Sequence, residues 1–149
     1  IDTQDFSYYP KMRAFEITEE VLNAITSQKY DFILVNISNP DMVGHTGNFQ
    51  ATKEAITAVD KCAYAIALAT LMAGGDCVIT ADHGNAEYMI DKDGNKVTSH
   101  TANKVPCILV SEKYKNTRLK KNKSIANIAA TVLKLLDLEK PANMEESLF

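Results

Sequence analysis

Short apolar runs and longer amphipathic segments alternate along this chain, and that alternation limits the folds it can adopt. The apolar runs are rich in β-branched residues and cover residues 32–37, 77–80 and 105–110. Runs of this kind are typical of strands that other layers cover on both faces. Strands that alternate with helices favour an α/β fold, so we predict a largely parallel sheet with helices on both faces.

Three helices are predicted around these strands. Thr18 is the predicted N-cap of the first helix, which runs to about Gln28 and has acidic residues in its first turn. The second helix begins near Gln50, ends at Gly74 and carries one apolar stripe at spacings of three and four residues. Ser124 is the predicted cap of a last amphipathic helix. Together the helices and strands account for one domain of 149 residues.

A β-hairpin is predicted between the second and third strands. Residues 88–90 and 96–98 would form its two short strands, and its turn contains Asp93 and Gly94. An Asp-Gly pair supplies the positive φ that such turns require. The hairpin would return the chain to His100.

Charge and hydropathy argue against nucleic-acid and membrane partners. The formal net charge is −3, and we expect the lysine-rich run from Lys113 to Lys123 to be a solvated loop. We expect no stretch to reach the roughly 20 consecutive apolar residues of a membrane span. The three cysteines form no C-x-x-C pair, so we expect buried thiols in a cytoplasmic protein.

All three histidines lie in short polar segments that also hold aspartates or hydroxyl residues. Asp41 and His45 follow the first predicted strand, Asp82 and His83 follow the second, and His100 follows the hairpin. Functional residues in open α/β sheets gather beyond the carboxyl ends of the strands. Carboxylate and imidazole groups together form a ligand set that Zn²⁺ and Mn²⁺ accept. We therefore expect these side chains to lie close together and to bind metal.

Each of these segments also has a simpler interpretation. An Asp-x-x-x-His pair such as Asp41 and His45 occurs often by chance. Asp82 can cap a turn that leaves His83 exposed, and His100 can be a surface histidine. The joint pattern favours a two-metal site, since three loops offer ligands and two of those loops follow strands. In such a site the ions lie about 3.5–4 Å apart and clamp the attacking and leaving oxygens of a displacement at phosphorus.

Three motifs carry a resemblance to a known enzyme family. They are NPDMVGHTG at 39–47, TADHGN at 80–85, and SHT at 99–101 followed by VP at 105–106. In order and spacing these motifs resemble cofactor-independent phosphoglycerate mutase, the metal-dependent, 2,3-bisphosphoglycerate-independent enzyme of the alkaline phosphatase superfamily. The resemblance runs over essentially the whole chain. Lys104 departs from it, because the family usually has proline at this position.

The resemblance implies a site with two Mn²⁺ ions, or with Zn²⁺ or Co²⁺ in their place. Asp41, His45 and His100 would bind the first ion, and Asp82 and His83 would help to bind the second. In the family, a serine nucleophile and a further aspartate from the beginning of the full-length chain complete the second site. That serine carries the phosphoryl group between 3-phosphoglycerate and 2-phosphoglycerate, a step of glycolysis.

The resemblance also implies that residues 1–149 are the C-terminal fragment of the phosphatase domain. We expect an alkaline-phosphatase-like fold that lacks the N-terminal strands, the transferase domain and the segment with the nucleophile. The only functional residues of this chain would then be metal ligands. The fragment alone would be inactive and would expose apolar edges that favour self-association. We expect the full-length enzyme to be a cytoplasmic monomer.

Two other functions stay open at this point. A sister enzyme of the same superfamily, such as a phosphopentomutase, a phosphodiesterase or a sulfatase, would share the metal ligands and differ in its loops. A non-catalytic α/β module would carry the same histidines and aspartates as ordinary polar loop residues. The segments from Val43 to Gly47 and from His100 to Asn103 favour the glycerate mutase.

Overall fold

Helices and short strands alternate along the described part of the chain. The computed structural model describes residues 5–149. After a short 3-10 helix at Phe6–Tyr8, the elements are α1 (Ala14–Ser27), α2 (Asn39–Gly44), α3 (Phe49–Met72), β1 (Cys77–Thr80), β2 (Cys107–Val110) and α4 (Ala126–Leu135). The α/β class is confirmed, although two of the three predicted strands form among the described residues.

Helix α1 begins four residues before its predicted cap. Thr18 is buried inside the helix, and its hydroxyl donates a hydrogen bond to the carbonyl oxygen of Ala14 at 2.7 Å. A threonine hydroxyl can either cap a helix or bond the carbonyl four residues back, so the prediction of a cap here is wrong. The predicted end is confirmed, since Gln28 closes the helix in a left-handed conformation with a φ of 51°.

Helix α3 agrees with its prediction at both ends. Its N-cap is Asn48, whose side-chain oxygen accepts a hydrogen bond from the N–H of Ala51 at 3.1 Å. The helix ends shortly before Gly74, whose φ of 81° favours glycine. Its buried face follows the helical repeat and consists of Ala51, Thr52, Ala55, Ala58, Cys62, Ile66 and Ala67.

The length and composition of α3 correct the expectation about membrane spans. With 24 residues and a mean hydropathy of 1.4 in its most apolar window, α3 could cross a membrane by those two measures alone. In this structure α3 packs against α1, α2 and β1. The small side chains on its buried face allow that close packing, and 22% of its most apolar window is buried.

The two described strands depart from the largely parallel order that the sequence predicts, because β1 and β2 pair antiparallel. Cys77 lies opposite Val110, and Thr80 lies opposite Cys107. Parallel neighbours need a long crossover connection, which is usually a helix. Between β1 and β2 the chain forms irregular segments and a hairpin instead. That connection lets the chain return in the opposite direction.

Residues 32–37, the first predicted strand, form neither a strand nor a helix. Their side chains still alternate as in a strand, since Phe32 and Leu34 are exposed whereas Ile33 and Val35 are partly buried. A strand needs a neighbour for its backbone hydrogen bonds, and no described segment pairs with these residues. The expected cover on both faces is therefore wrong. Leu34 exposes 84% of its surface, as expected of an apolar edge, and self-association stays a prediction.

The predicted hairpin between the strands is confirmed in a shortened form. Ile90 and Lys96 form an isolated antiparallel bridge. Gly94 lies in the turn and has a φ of 85°, as the Asp-Gly signal predicts. The hairpin thus reverses the chain between β1 and β2 ahead of His100.

A small apolar core lies where α2 meets α3, and it positions the first pair of candidate ligands. Val43, Ala51 and Ala55 form this core, and Phe6 packs against it. Val43 is fully buried, which fixes the orientation of α2. Residues two apart do not share a helix face, so the burial of Val43 leaves Asp41 accessible on another side of α2.

The N-cap of helix α4 is Ile125, one residue after the predicted cap Ser124. The hydroxyl oxygen of Ser124 accepts a hydrogen bond from the N–H of Ala126 at 3.3 Å, and Asn127 accepts one from the N–H of Ser124 at 2.9 Å. This reciprocal arrangement satisfies N–H groups at the start of the helix. The irregular C-terminal tail packs on the same helix, because the N–H of the buried Leu148 donates to the hydroxyl of Thr131 at 2.9 Å.

Candidate metal centre

Helix α2 brings the side chains of Asp41 and His45 together. Asp41 lies in the first turn of α2, and His45 follows directly after the last residue of the helix. Residues four apart lie on the same helix face, and His45 Nε2 is 3.2 Å from Asp41 Oδ1. The spacing therefore turns both side chains to one side, as the sequence predicts.

His100 joins this pair from a distant part of the chain. Its Nε2 lies 3.1 Å from Asp41 Oδ1 and 3.1 Å from His45 Nε2. The three side chains predicted for the first ion therefore each present one donor atom to the same point. Two imidazole rings and a carboxylate that converge in this way match the ligand chemistry of Zn²⁺, Mn²⁺ and Co²⁺.

The backbone fixes the tautomer of His45. Its Nδ1 lies 2.5 Å from the carbonyl oxygen of Thr98. A carbonyl oxygen can only accept, so Nδ1 of the neutral ring carries the proton and donates it. The lone pair of the ring is then on Nε2, which faces Asp41 and His100. Histidines that bind metals almost always show this arrangement, so the residues fit a bound ion.

The two side chains predicted for the second ion, Asp82 and His83, lie in different surroundings. His83 stacks on His100 with ring centroids 3.7 Å apart, and the donor atoms of Asp41, His83 and His100 all lie within 4.8 Å of one another. The side chain of Asp82 is 67% exposed, and its Oδ1 accepts a hydrogen bond from the N–H of His83 at 3.1 Å. The structure thus groups His83 with the proposed ligands of the first ion, while Asp82 lies beside them in solvent.

A buried asparagine, to which the sequence pattern assigns no role, also belongs to this group. Asn85 Nδ2 donates to Asp41 Oδ1 at 2.9 Å and lies 3.5 Å from His45 Nε2. Because Asn85 is buried, this contact orients the carboxylate of Asp41. Gly44 makes room for it, since a Cβ at this position would overlap the side-chain oxygen of Asn85. In the sequence, the one signal that could have pointed to Asn85 was its position at the end of the TADHGN motif.

Glu87 is a second residue that sequence reasoning misses. Its carboxylate accepts hydrogen bonds from the N–H of Asn85 at 2.7 Å, from the hydroxyl of Thr101 and from the amide of Asn103 at 2.9 Å. The bond from Thr101 is the main cause that holds the pKa of Glu87 below its ordinary value. No spacing rule marks Glu87, because its side-chain partners lie 14 and 16 residues further along the chain.

The centre lies at an open surface. The side chains of Asp41, His45 and His100 expose 31%, 41% and 50% of their area. Cavities of about 470 Å³ beside α4 and about 200 Å³ near the start of α1 lie elsewhere, and no histidine lines either of them. Three protein donors and an open side would let a bound ion also hold a water or a substrate oxygen.

Comparison with known proteins agrees with the chemistry of this site. A family model described as the metalloenzyme superfamily matches residues 3–140. The chain belongs to this superfamily. The matched range contains all the candidate metal ligands of this chain, from Asp41 to His100.

The relatives of this superfamily member include cofactor-independent phosphoglycerate mutases. The chain is 43% identical over 136 residues to the 2,3-bisphosphoglycerate-independent phosphoglycerate mutase of Clostridioides difficile, and 49% identical over 136 residues to that of Clostridium tetani. It is 46% identical over 145 residues to the same enzyme of Gracilaria tenuistipitata. These matches cover 91%, 91% and 97% of this chain but 27%, 26% and 28% of the relatives. The chain therefore spans about a quarter of the length of the relatives it matches.

A solved structure from the same group shows the same fold. The phosphoglycerate mutase of Leishmania mexicana, whose crystal structures were determined at low cobalt concentration, matches with a TM-score of 0.89 at 32% identity. The match covers 99% of this chain and 30% of that protein. The resemblance read from the motifs and the fold class are thus confirmed. Membership of the superfamily, together with the cobalt named for the crystal structures of this relative, indicates a divalent metal.

Gly44→Ala tests the packing between α2 and Asn85. The added methyl group would overlap Asn85 Oδ1, so Asn85 has to move and release Asp41. We expect the free energy of unfolding to fall by about 1–3 kcal/mol, which is the usual effect of overpacking. Urea denaturation measures this change.

Gly75→Ala is the matched control, because its Cβ would meet the methyl group of Thr70 at 3.1 Å and should cause a smaller loss. In an Asn85→Ala background the overlap is gone, so Gly44→Ala should destabilise the chain less there. Equal losses with and without Asn85 would contradict the described packing.

Proposed function

We propose that this chain supplies the metal-binding part of a cofactor-independent phosphoglycerate mutase. The observation that carries the proposal is the convergence of Asp41, His45 and His100, whose donor atoms lie 3.1–3.2 Å apart. Similarity to such mutases over about a quarter of their length supports it. In this role the complete enzyme interconverts 3-phosphoglycerate and 2-phosphoglycerate in the cytoplasm, as a step of glycolysis.

Two Mn²⁺ ions, or Zn²⁺ or Co²⁺ ions in their place, are the proposed cofactors. Asp41, His45 and His100 would hold the first ion, and Asp82 and His83 would help to hold the second. When bound, such ions neutralise charge on the phosphoryl oxygens and orient the attacking and leaving oxygens. Because His83 stacks on His100, the proposed second site would lie directly beside the first.

Neighbouring groups prepare the proposed ligands of the first ion for this role. The carbonyl of Thr98 holds His45 in the tautomer that presents Nε2, and the amide of Asn85 orients Asp41. Each contact restricts a side chain before binding, so less conformational entropy is lost when an ion arrives. This arrangement supports a centre that forms before any ion binds.

The serine nucleophile and the residues that hold the glycerate are proposed to lie in the part of the mutase that this chain does not span. The chain covers 26–28% of the length of its relatives, which leaves ample sequence for them. The exposure of half of the His100 side chain supports this proposal. The open side of the centre is where the rest of the enzyme would present the nucleophile and the substrate.

Asp41→Asn and His45→Ala test the metal centre. Each change removes one donor, so the dissociation constant for Mn²⁺ should rise at least about tenfold, as measured by isothermal titration calorimetry. Asp60→Asn makes the same change as Asp41→Asn at an exposed carboxylate of α3 and should leave the affinity unchanged. Wild-type affinity in both centre variants would favour a non-catalytic module instead.

The isolated chain should not convert 3-phosphoglycerate to 2-phosphoglycerate, because its nucleophile is proposed to lie elsewhere. An enolase-coupled assay of the purified chain with Mn²⁺ measures this reaction. Mn²⁺ binding by the same preparation serves as the control that the centre has formed. Turnover that depends on Mn²⁺ would show that this chain carries its own nucleophile and would refute the proposal.

A further inference from the structure

Glu87 connects two segments that carry different candidate ligands. The loop after β1 carries His83 and continues to Asn85, whose N–H donates to Glu87 Oε2 at 2.7 Å. The segment before β2 carries His100, and the hydroxyl of the adjacent Thr101 donates to Glu87 Oε1. One carboxylate therefore holds the neighbours of two histidines that lie far apart in the sequence.

The backbones of the two segments also meet beside this carboxylate. Gly84 and Thr101 form an antiparallel bridge, in which the N–H of Thr101 donates to the carbonyl of Gly84 at 2.8 Å. A Cβ at Gly84 would overlap the hydroxyl of Thr101 and crowd Glu87, so glycine permits the approach. The amide of Asn103 adds a third donor to Glu87 at 2.9 Å. The contact between the segments thus combines one backbone bridge and one shared acceptor.

The chemistry of a carboxylate suits this position. Its two oxygens accept all three hydrogen bonds, and the ionised group donates none. A glutamine would present an NH₂ group to one of the three donors and would break that contact, although at this exposed site the displaced donor can bond water. Hydrogen bonds to an ionised acceptor are also roughly twice as strong as bonds between neutral groups. Glutamate is therefore better suited to hold the segments than its amide.

We propose that Glu87 is a positioning residue of the metal centre, which sets the distance between the loop of His83 and the segment of His100. The same carboxylate is linked to the first predicted ligand through Asn85, whose side chain donates to Asp41 Oδ1 at 2.9 Å. The hydrogen bonds of Glu87 go to neighbours of the ligands, and groups of this kind hold ligands in the geometry that an ion requires. This inference rests on the proposed metal centre.

Asp91 provides a matched comparison. Its carboxylate also accepts three hydrogen bonds, from the N–H of Asp93 at 2.9 Å and from the N–H and side-chain amide of Asn95 at 2.8 and 3.0 Å. All three donors lie in the turn of its own hairpin. A change from carboxylate to amide at Asp91 therefore perturbs one turn and leaves the contact between the ligand segments in place.

The first experiment compares Glu87→Gln with Asp91→Asn in the 149-residue chain without metal. Amide hydrogen exchange, followed by NMR, measures the protection of the Thr101 N–H, which bonds Gly84 across the two segments. We expect exchange at Thr101 to be about tenfold faster in Glu87→Gln, because a hydrogen bond to a charged group is lost, and unchanged in Asp91→Asn. Unchanged exchange at Thr101 in Glu87→Gln would overturn the inference.

The second experiment uses Co²⁺ alone as the probe of the centre. Glu87→Gln should raise the Co²⁺ dissociation constant about 10–100-fold. It should also change the visible absorption spectrum at saturation, which reports ligand geometry and not the stability of the chain. Asp91→Asn should have the same Co²⁺ dissociation constant and the same spectrum as the wild type. If Glu87→Gln also shows the affinity and the spectrum of the wild type, the inference is overturned. If the wild type binds no Co²⁺, the proposed metal centre fails, and exchange at Thr101 still decides whether Glu87 holds the segments together.

Thr101→Val provides a second variant in case Glu87→Gln does not fold. Valine has the shape of threonine without the hydroxyl, so it removes one donor to Glu87 and leaves the charge in place. We expect the Co²⁺ dissociation constant to rise about 2–10-fold, because Glu87 loses one of its three donors and keeps the other two. A folded Thr101→Val chain with wild-type affinity would contradict the proposed role.

Discussion

The carboxylate of Asp41 is the point at which three segments of the chain meet. Its Oδ1 lies 3.2 Å from His45 Nε2, 3.1 Å from His100 Nε2 and 2.9 Å from Asn85 Nδ2. His45 reaches this point because it lies one helical turn after Asp41, whereas the other two side chains come from the long connection between β1 and β2. An ionised carboxylate and two imidazole nitrogens that converge in this way attract a cation. The rest of the site therefore depends on where α2 holds Asp41, and the burial of Val43 fixes that helix.

Sequence reasoning reaches the candidate ligands because each of them lies in a short local motif, even where the preceding element does not form, as at residues 32–37. The spacing of Asp41 and His45 is one helical turn, and that pattern can be read without knowing the fold. The same reasoning misses Asn85 and Glu87, whose side chains bond partners up to 44 residues away. Their roles also depend on a close backbone approach at Gly84. A buried amide and a shared acceptor leave no periodicity in the sequence, so only the folded chain shows them.

Elements of the fold whose causes are local in the sequence are predicted correctly, whereas those that depend on distant segments are not. Helix α3 is predictable because its cap, its apolar stripe and its closing glycine all lie within or beside its own sequence. The direction of β1 relative to β2 depends instead on the connection between them, and that connection contains no crossover helix. Residues 32–37 keep the alternating burial of a strand but have no described neighbour to pair with. Thr18 shows that even a local signal can be ambiguous, since its hydroxyl bonds Ala14 and does not cap the helix.

Anomalous diffraction from crystals of this chain soaked in Co²⁺ tests the central claim most directly. Data collected at the cobalt absorption edge locate the ion and its ligands independently of any assay. We predict a peak bonded to Asp41 Oδ1 and to the Nε2 atoms of His45 and His100, at about the 2.0–2.2 Å found for such ligands. A peak elsewhere on the surface, or an ion that contacts carboxylates and neither histidine, would contradict the account.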